Sequence, residues 1–141
     1  MKDLKNEASR WLREAKHDLD FSRVALSTGF YSKACFNSEQ AAEKAVKAVL
    51  YARGERLVIG HSVTELFKRL DLDERTARQV MGITHKLDQY YIPTRYPNAF
   101  ASGPAFEHYG KAQAEEAIEM ASGLVDLCEQ LVASAGAGEP A

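Results

Sequence analysis

The sequence predicts an all-α protein, an antiparallel helical bundle of four long helices plus one short helix. Apolar residues recur at steps of three and four along most of the chain, which is the spacing of one helix face. No stretch alternates apolar and polar residues for long enough to predict a β-sheet. Glycine and proline interrupt the helical pattern and divide residues 1–133 into the helices of one domain. Residues 134–141 are small and polar, and we expect a disordered tail there.

The first two helices are predicted at residues 3–27 and 31–53, with Thr28 and Gly29 between them. Glycine is preferred at the left-handed position that ends a helix, so the first helix should end there. The second helix has an apolar face of mostly small residues: Ala34, Cys35, Ala41, Ala42, Ala45, Val46, Ala48 and Val49. Small residues on two adjacent stripes let neighbouring helices approach from both sides. We therefore expect the second helix to lie at the centre of the bundle.

The later helices follow recognisable start signals. Ser62 followed by Glu65 is the pattern of a capping box, which predicts the start of the short helix. A fourth helix is predicted at residues 74–91 and a fifth at about 106–133. The connection between them is long, and long loops are often functional.

The composition is that of an ordinary soluble domain. The chain has 141 residues, of which 45% are hydrophobic and 27% are charged, and its formal net charge is −2. The chain as a whole is not positively charged, so its net charge does not predict binding to nucleic acid. The charge is uneven, because residues 107–141 hold seven acidic residues against one lysine. This pattern hints at one basic and one acidic face.

Several kinds of chemistry and location lack support in the sequence. Cys35 and Cys128 lie in apolar helical patterns, which favours buried, reduced thiols in a cytosolic protein. The chain has no cysteine–histidine cluster for a metal and no motif of a P-loop, a dinucleotide fold, a zinc protease or a serine hydrolase. No apolar run reaches membrane-spanning length. We expect a cytoplasmic protein without a cofactor or a bound metal.

The candidate functional stretch is residues 90–97, which holds three of the six tyrosines and two of the four prolines. Pro93 and Pro97 cannot lie inside a helix, so the stretch should leave the fourth helix as an ordered loop around Arg95. Aromatic rings beside a fixed guanidinium are suited to stacking on bases and binding phosphate. The alternative is that the tyrosines fill the core and Arg95 caps a helix C-terminus.

Four motifs in order resemble the HEPN domain, a small α-helical bundle. They cover about residues 8–131. The motifs are Ala15-x-x-Asp18-Leu19-x(5)-Ala25, Gln40-Ala41-Ala42-Glu43-Lys44-Ala45-x-Lys47-Ala48-x-Leu50, His61-Ser62-x(3)-Leu66 and Tyr91-Ile92-x-Thr94-Arg95-Tyr96-Pro97. Each motif alone is common, and the order and separation of all four make the resemblance specific.

The resemblance implies a homodimer that binds nucleotides or RNA, often beside a minimal nucleotidyltransferase in toxin–antitoxin or other defence systems. Many HEPN domains are metal-independent ribonucleases with the motif Arg-x(4–6)-His near the start of the last long helix. This sequence departs from that pattern, because the first histidine after Arg95 is His108. Arg56 and His61 have the literal spacing, but they precede the short third helix.

Three hypotheses of function follow. The sequence favours a non-catalytic module that binds nucleotides or RNA and acts with a partner nucleotidyltransferase. The second hypothesis is a ribonuclease toxin, in which Arg95 stabilises charge on phosphorus and His61 or His108 transfers protons. The third is a structural dimerisation module without a ligand. The predicted ligand-binding residues are Arg95, Tyr96, Tyr91, Lys44, Lys47 and His61, and no residue is assigned a catalytic or metal-binding role.

The charged candidates also have plain structural explanations. Glu43 and Lys47 are spaced as a helical ion pair, and a solvated helix face is the ordinary place for such a pair. A histidine just before a helix, as His61 is, commonly hydrogen-bonds nearby backbone.

Overall fold

The computed structural model describes residues 3–137, and within that range it contains no β-strand. The α-helices are α1 (Leu4–Ser27), α2 (Tyr31–Ala52), α3 (Val63–Lys68), α4 (Glu74–Asp88) and α5 (Lys111–Ala137). Two 3-10 helices, Pro97–Ala99 and Ala105–His108, lie in the connection between α4 and α5. The prediction of four long helices plus one short helix is confirmed. Within residues 3–137, no helix is both long enough and apolar enough to cross a membrane.

Helix α2 lies at the centre of the bundle, as predicted. It contacts each of the other four α-helices, and α1 and α5 also pack against each other. All eight residues of its predicted small face are buried. Cys35 and Cys128 are also buried and free, and burial raises the pKa of both thiols to about 12. These cysteines therefore act as small core residues rather than as reactive groups.

Helix α4 ends earlier than predicted. Its last residue is Asp88 rather than Tyr91, and turns follow. The apolar spacing continues to Tyr91, but Pro93 disfavours helical geometry just before it. The turn sends the two tyrosines to different neighbours: Tyr90 contacts α5, and Tyr91 contacts α2.

Helix α5 is displaced towards the C-terminus relative to the prediction. It begins at Lys111 rather than near Phe106, because a separate 3-10 helix precedes it. It continues to Ala137 rather than ending near Ala133. The first four residues of the expected disordered tail are therefore helical, whereas residues 138–141 lie outside the described residues.

The start of α3 is fixed by α4 as well as by its own cap. Ser62 Oγ accepts the backbone N–H of Glu65 at 3.1 Å, which is one half of the predicted capping box. The Asp88 carboxylate, at the end of α4, accepts three more hydrogen bonds. The donors are Ser62 Oγ at 3.0 Å, Val63 N at 2.6 Å and Thr64 N at 3.2 Å. Because His61 immediately precedes Ser62, the bonds to Asp88 also help to position the backbone of His61.

Candidate functional site

Four side chains gather around Arg95, and we call the group the Arg95 cluster: Phe36, His61, Tyr91, Arg95 and Tyr96. The central carbon of the guanidinium lies 4.6 Å from the ring centroid of Tyr91, 4.7 Å from that of Phe36 and 5.2 Å from that of Tyr96. A guanidinium at these distances is attracted by the electron-rich face of each ring. The cluster combines α2, the residue before the α3 cap and the connection after α4.

Arg95 is held by one hydrogen bond, in which its Nε donates to the carbonyl oxygen of Tyr91 at 2.7 Å. Tyr91 lies three residues beyond the last residue of α4, so this bond holds Arg95 to the connection rather than to the helix C-terminus that the alternative named. The bond uses one of the five N–H groups of the guanidinium. The other four have no hydrogen-bond partner among residues 3–137. A ligand could therefore receive them while Nε keeps the side chain in place.

The tyrosines of residues 90–97 divide between core and surface. Tyr90 is buried, and its carbonyl oxygen accepts a hydrogen bond of 2.6 Å from Thr94 Oγ1. Tyr91 is half-buried, and Tyr96 is 47% exposed. The core alternative is therefore correct for Tyr90, whereas Tyr91 and Tyr96 join Arg95 as the sequence predicted.

His61 reaches the cluster through Tyr91. Its imidazole stacks on the Tyr91 ring with 4.8 Å between centroids and 15° between planes. His61 Nδ1 lies 3.2 Å from Glu43 Oε1 of α2, so the histidine bonds a side chain rather than nearby backbone. Because a carboxylate only accepts, Nδ1 carries the proton of this bond and Nε2 of the neutral ring is left to accept one. The side chain is 59% exposed.

Glu43 and Lys47 are buried, so the expectation of a solvated helix face is wrong. Glu43 is 2% exposed and Lys47 is 5% exposed. Lys47 Nζ lies 3.2 Å from Glu43 Oε2 and 5.3 Å from the centre of the Trp11 ring system. The ammonium is thus compensated inside the protein. Direct binding of a phosphate by Lys47 would require this pair to open.

Glu39 adds a second carboxyl to the same side of α2. It is fully buried, and its Oε1 accepts from Gln40 Nε2 at 2.8 Å, whereas Oε2 has no hydrogen-bond partner within the described residues. Burial, together with the nearby carboxylates of Glu43 and Asp88, raises the pKa of Glu39 to about 9 despite the Gln40 hydrogen bond. Glu39 is therefore neutral at pH 7, which leaves Glu43 to bind Lys47 and His61.

Lys44 and His108 make their contacts elsewhere. Lys44 Nζ lies 2.7 Å from Asp18 Oδ2 of α1 and lines a separate open cavity beside Trp11. His108 stacks on Phe100 with 4.0 Å between centroids, and its Nε2 lies 2.8 Å from Ser102 O. The structure therefore brings His61, Tyr91 and Tyr96 to Arg95. It joins Lys44 to α1 and connects Lys47 only indirectly, through Glu43.

Sequence reasoning missed Phe36 and the orienting role of Glu43. A usable signal was present, because Phe36, Glu43 and Lys47 are separated by seven and four residues and so share one side of α2. Aromatic and charged residues on one line of an otherwise small and apolar helix depart from the pattern of a packing face. That departure marks the side of α2 on which Tyr91, Arg95 and His61 assemble.

A family model described as the HEPN domain matches residues 8–131. Among solved structures, TT1696 from Thermus thermophilus is similar with 40% identity, a TM-score of 0.82 and coverage of 89% of this chain and 98% of that chain. ST0689, an archaeal HEPN homologue, has 33% identity, a TM-score of 0.74 and coverage of 94% and 99%. A HEPN domain protein from Thermotoga maritima has 32% identity, a TM-score of 0.68 and coverage of 88% and 98%.

One relative is similar in sequence to nearly the whole chain. It is the protein named "Putative toxin MJ1304" from Methanocaldococcus jannaschii. The two are 25% identical over 133 residues, which cover 89% of this chain and 88% of the relative.

Proposed function

This chain belongs to the HEPN domain family, and we propose that it is a non-catalytic module that binds RNA or nucleotides through the Arg95 cluster. One observation carries the proposal: the Arg95 guanidinium lies against three aromatic rings and keeps four N–H groups for a ligand. A planar guanidinium binds phosphate oxygens by two parallel hydrogen bonds. The exposed ring of Tyr96 offers a surface on which an unpaired base can stack.

The charge distribution supports a local contact rather than a broad basic surface. The net charge is −2, and the ammonium of Lys47 is paired with Glu43 in the protein interior. We therefore expect the cluster to neutralise about one phosphate. For single-stranded nucleic acid this corresponds to a slope of about −0.7 in a plot of log affinity against log salt concentration.

The substitution Arg95→Lys tests the phosphate contact. Lysine keeps the charge but loses the planar pair of donors. We expect the affinity for a labelled single-stranded RNA at low salt to fall about tenfold, as measured by fluorescence anisotropy. Loss of the bond to Tyr91 should cost about 1 kcal/mol of stability, a shift of a few degrees in melting temperature.

The matched control for this test is Arg75→Lys, because Arg75 is an exposed arginine at the start of α4. It should leave RNA affinity unchanged. If Arg95→Lys and Arg75→Lys bind RNA equally well at low salt, Arg95 has only a structural role, through its hydrogen bond to Tyr91.

We further propose that the module forms a homodimer in the cytoplasm and acts with a minimal nucleotidyltransferase in a toxin–antitoxin or other defence system. Support comes from membership of the family and from the toxin description in the name of the archaeal relative. Light scattering at micromolar concentration should give twice the 15.6 kDa mass of the chain. A monomeric mass would contradict the dimer.

Co-expression with a nucleotidyltransferase encoded beside this chain should give a complex that survives purification, and separate elution would contradict the partnership.

A second function, metal-independent ribonuclease activity, is favoured by one specific observation. The ring of Tyr91 contacts both the Arg95 guanidinium and the His61 imidazole, although the two residues are distant in sequence. With Nδ1 held by Glu43, Nε2 of His61 could take the proton of a ribose 2′-hydroxyl. The 2′-oxygen would attack phosphorus to form a 2′,3′-cyclic phosphate, and the 5′-oxygen would leave with a proton taken from water. Arg95 would stabilise the charge that develops on the phosphate oxygens.

Cleavage of a labelled RNA in the presence of a chelator tests this second function. If the chain is a ribonuclease, His61→Ala should abolish cleavage but lower RNA affinity only in part, because Arg95 and Tyr96 would still bind the RNA. Intact RNA after incubation with the wild-type protein, together with unaffected growth and total RNA on induced expression, would remove this function and leave the binding module.

A further inference from the structure

A second concave surface adjoins the segment that carries Arg95. It is a cavity of about 340 Å³ between the end of α4, the connection before α5 and the first turn of α5. We call it the Tyr109 pocket, and its lining includes Gln89, Tyr90, Phe100, His108, Tyr109 and Gln113. None of its lining residues belongs to the Arg95 cluster.

The walls of the Tyr109 pocket are aromatic. Phe100 and His108 stack in parallel, with 4.0 Å between ring centroids and 4° between planes. Tyr109 stands edge-on to Phe100 at 88° and to Tyr90 at 72°. Tyr90 and Tyr109 are buried, whereas His108 is exposed. The base of the pocket is therefore formed by the buried rings of Tyr90 and Tyr109, and the imidazole of His108 is accessible at its edge.

The polar groups of the pocket are neutral and only partly used. Gln113 Nε2 donates to the hydroxyl oxygen of Tyr90 at 3.3 Å, which leaves its second N–H and its carbonyl oxygen without a partner among the described residues. The side-chain amide of Gln89 also has no hydrogen-bond partner in that part of the chain. Because Ser102 O only accepts, Nε2 of His108 carries a proton, and Nδ1 of the neutral ring can accept.

These groups suit an uncharged planar ligand. Among residues 3–137, no lysine, arginine, aspartate or glutamate lines the pocket. Burial raises the pKa of Tyr109 to about 12 and also raises that of Tyr90, so both hydroxyls stay neutral. A phosphate or carboxylate would find no cation here. A nucleobase would find the exposed imidazole of His108 to stack on, and amides that offer both donors and acceptors to its edge.

We propose that the Tyr109 pocket binds a base of the same RNA strand whose phosphate Arg95 holds; this rests on the proposed function. Tyr90 and Pro93 line the pocket, while Tyr91 and Arg95 of the same segment build the cluster. Five peptide steps separate Tyr90 from Arg95, so their Cα atoms are at most about 18 Å apart. A strand of a few nucleotides can cover both sites.

Competition against a labelled single-stranded hexanucleotide RNA tests the pocket. The competitors are four unlabelled RNA hexanucleotides, each with one kind of base, and an abasic hexanucleotide, which has the phosphates but no base. For the wild-type protein, we expect at least one base-bearing strand to bind about tenfold more tightly than the abasic strand. Gln113→Leu and His108→Ala should each remove most of this difference and leave the affinity for the abasic strand unchanged.

The control is Gln130→Leu, which changes an exposed glutamine on the same helix and should have no effect. Circular dichroism establishes that each variant is folded. Equal competition by the base-bearing and abasic strands, or normal affinity for the base-bearing strands in both pocket variants, would overturn the proposal.

The same experiment separates the two sites. Binding that depends on Gln113 but not on Arg95 would keep the pocket and reject the phosphate contact. Binding that depends on Arg95 but not on Gln113 or His108 would do the reverse. If neither RNA nor any nucleotide binds, both proposals fall.

Discussion

The buried carboxyl of Glu39 should make the stability of this protein depend on pH, and one substitution should remove that dependence. Burial, reinforced by Glu43 and Asp88, raises the pKa of Glu39 from 4.5 to about 9. Between these values the folded chain keeps a proton that the unfolded chain releases. The stabilising contribution is therefore fully present below pH 4.5 and is lost as pH rises through about 9.

The size of the effect follows from proton linkage. A difference of one bound proton changes the free energy of unfolding by about 1.4 kcal/mol per pH unit. Glutamine resembles the protonated acid and does not titrate, so Glu39→Gln should lack this slope. The stability of the variant relative to the wild type should rise by about 3 kcal/mol from pH 6 to pH 8. The buried thiols of Cys35 and Cys128 are present in both proteins and cancel in the difference.

Urea unfolding at half-unit steps between pH 6 and pH 8 measures this difference. Glu119→Gln, an exposed carboxylate on α5, is the control and should run parallel to the wild type. Parallel curves for the wild type and Glu39→Gln would refute the reasoning, because they would mean that Glu39 is ionised in the folded state at pH 7.

Two further substitutions test the packing of α2 and the attachment of α3. Ala45→Phe, at a fully buried site on α2, should overpack a helix contact and cost about 1–3 kcal/mol in urea unfolding. The same change at exposed Ala101 should be neutral, and equal effects at both sites would contradict a central α2. Asp88→Ala leaves Val63 N and Thr64 N without their acceptor and should cost about 1–3 kcal/mol. Faster hydrogen exchange at these two amides checks the cause, and unchanged exchange would count against it.

The helix boundaries were predicted accurately where a helix-ending glycine marks them in the sequence. The first two helices were predicted at 3–27 and 31–53 and are found at Leu4–Ser27 and Tyr31–Ala52, because Gly29 and Gly54 adopt the left-handed conformation just beyond them. No glycine follows the end of α4 directly, and Gly110, which directly precedes α5, does not adopt the left-handed conformation. At both places the apolar spacing runs past the true helix ends. The periodicity of side chains does not reveal where backbone hydrogen bonding changes from an α-helix to turns or a 3-10 helix.

The candidate site was predictable where one short segment supplied it. Tyr91, Arg95 and Tyr96 lie within six residues, and the prolines around them favoured an ordered loop. The environment of Glu43 and Lys47 was not predictable in this way, since the pair looks like an ordinary surface ion pair. Whether such a pair meets solvent depends on how many helices surround α2. Four helices pack on it, so its charged side is buried as well as its apolar one.

The buried charges of α2 are better explained by the surface that they support than by stability. Removing two charges from water costs several kcal/mol per ion, and replacing a buried ion pair with apolar residues is often neutral or stabilising. Glu43 nevertheless also hydrogen-bonds His61, which lies nearer the surface. His61 stacks on the Tyr91 ring, and the Arg95 guanidinium contacts the same ring. Departures from simple packing rules are expected where a protein functions. In this protein the buried ion pair of α2 is connected by direct contacts to the exposed residues that we propose bind RNA or nucleotides. The unfavourable burial of charge is therefore explained by the position that it gives to the candidate ligand-binding residues.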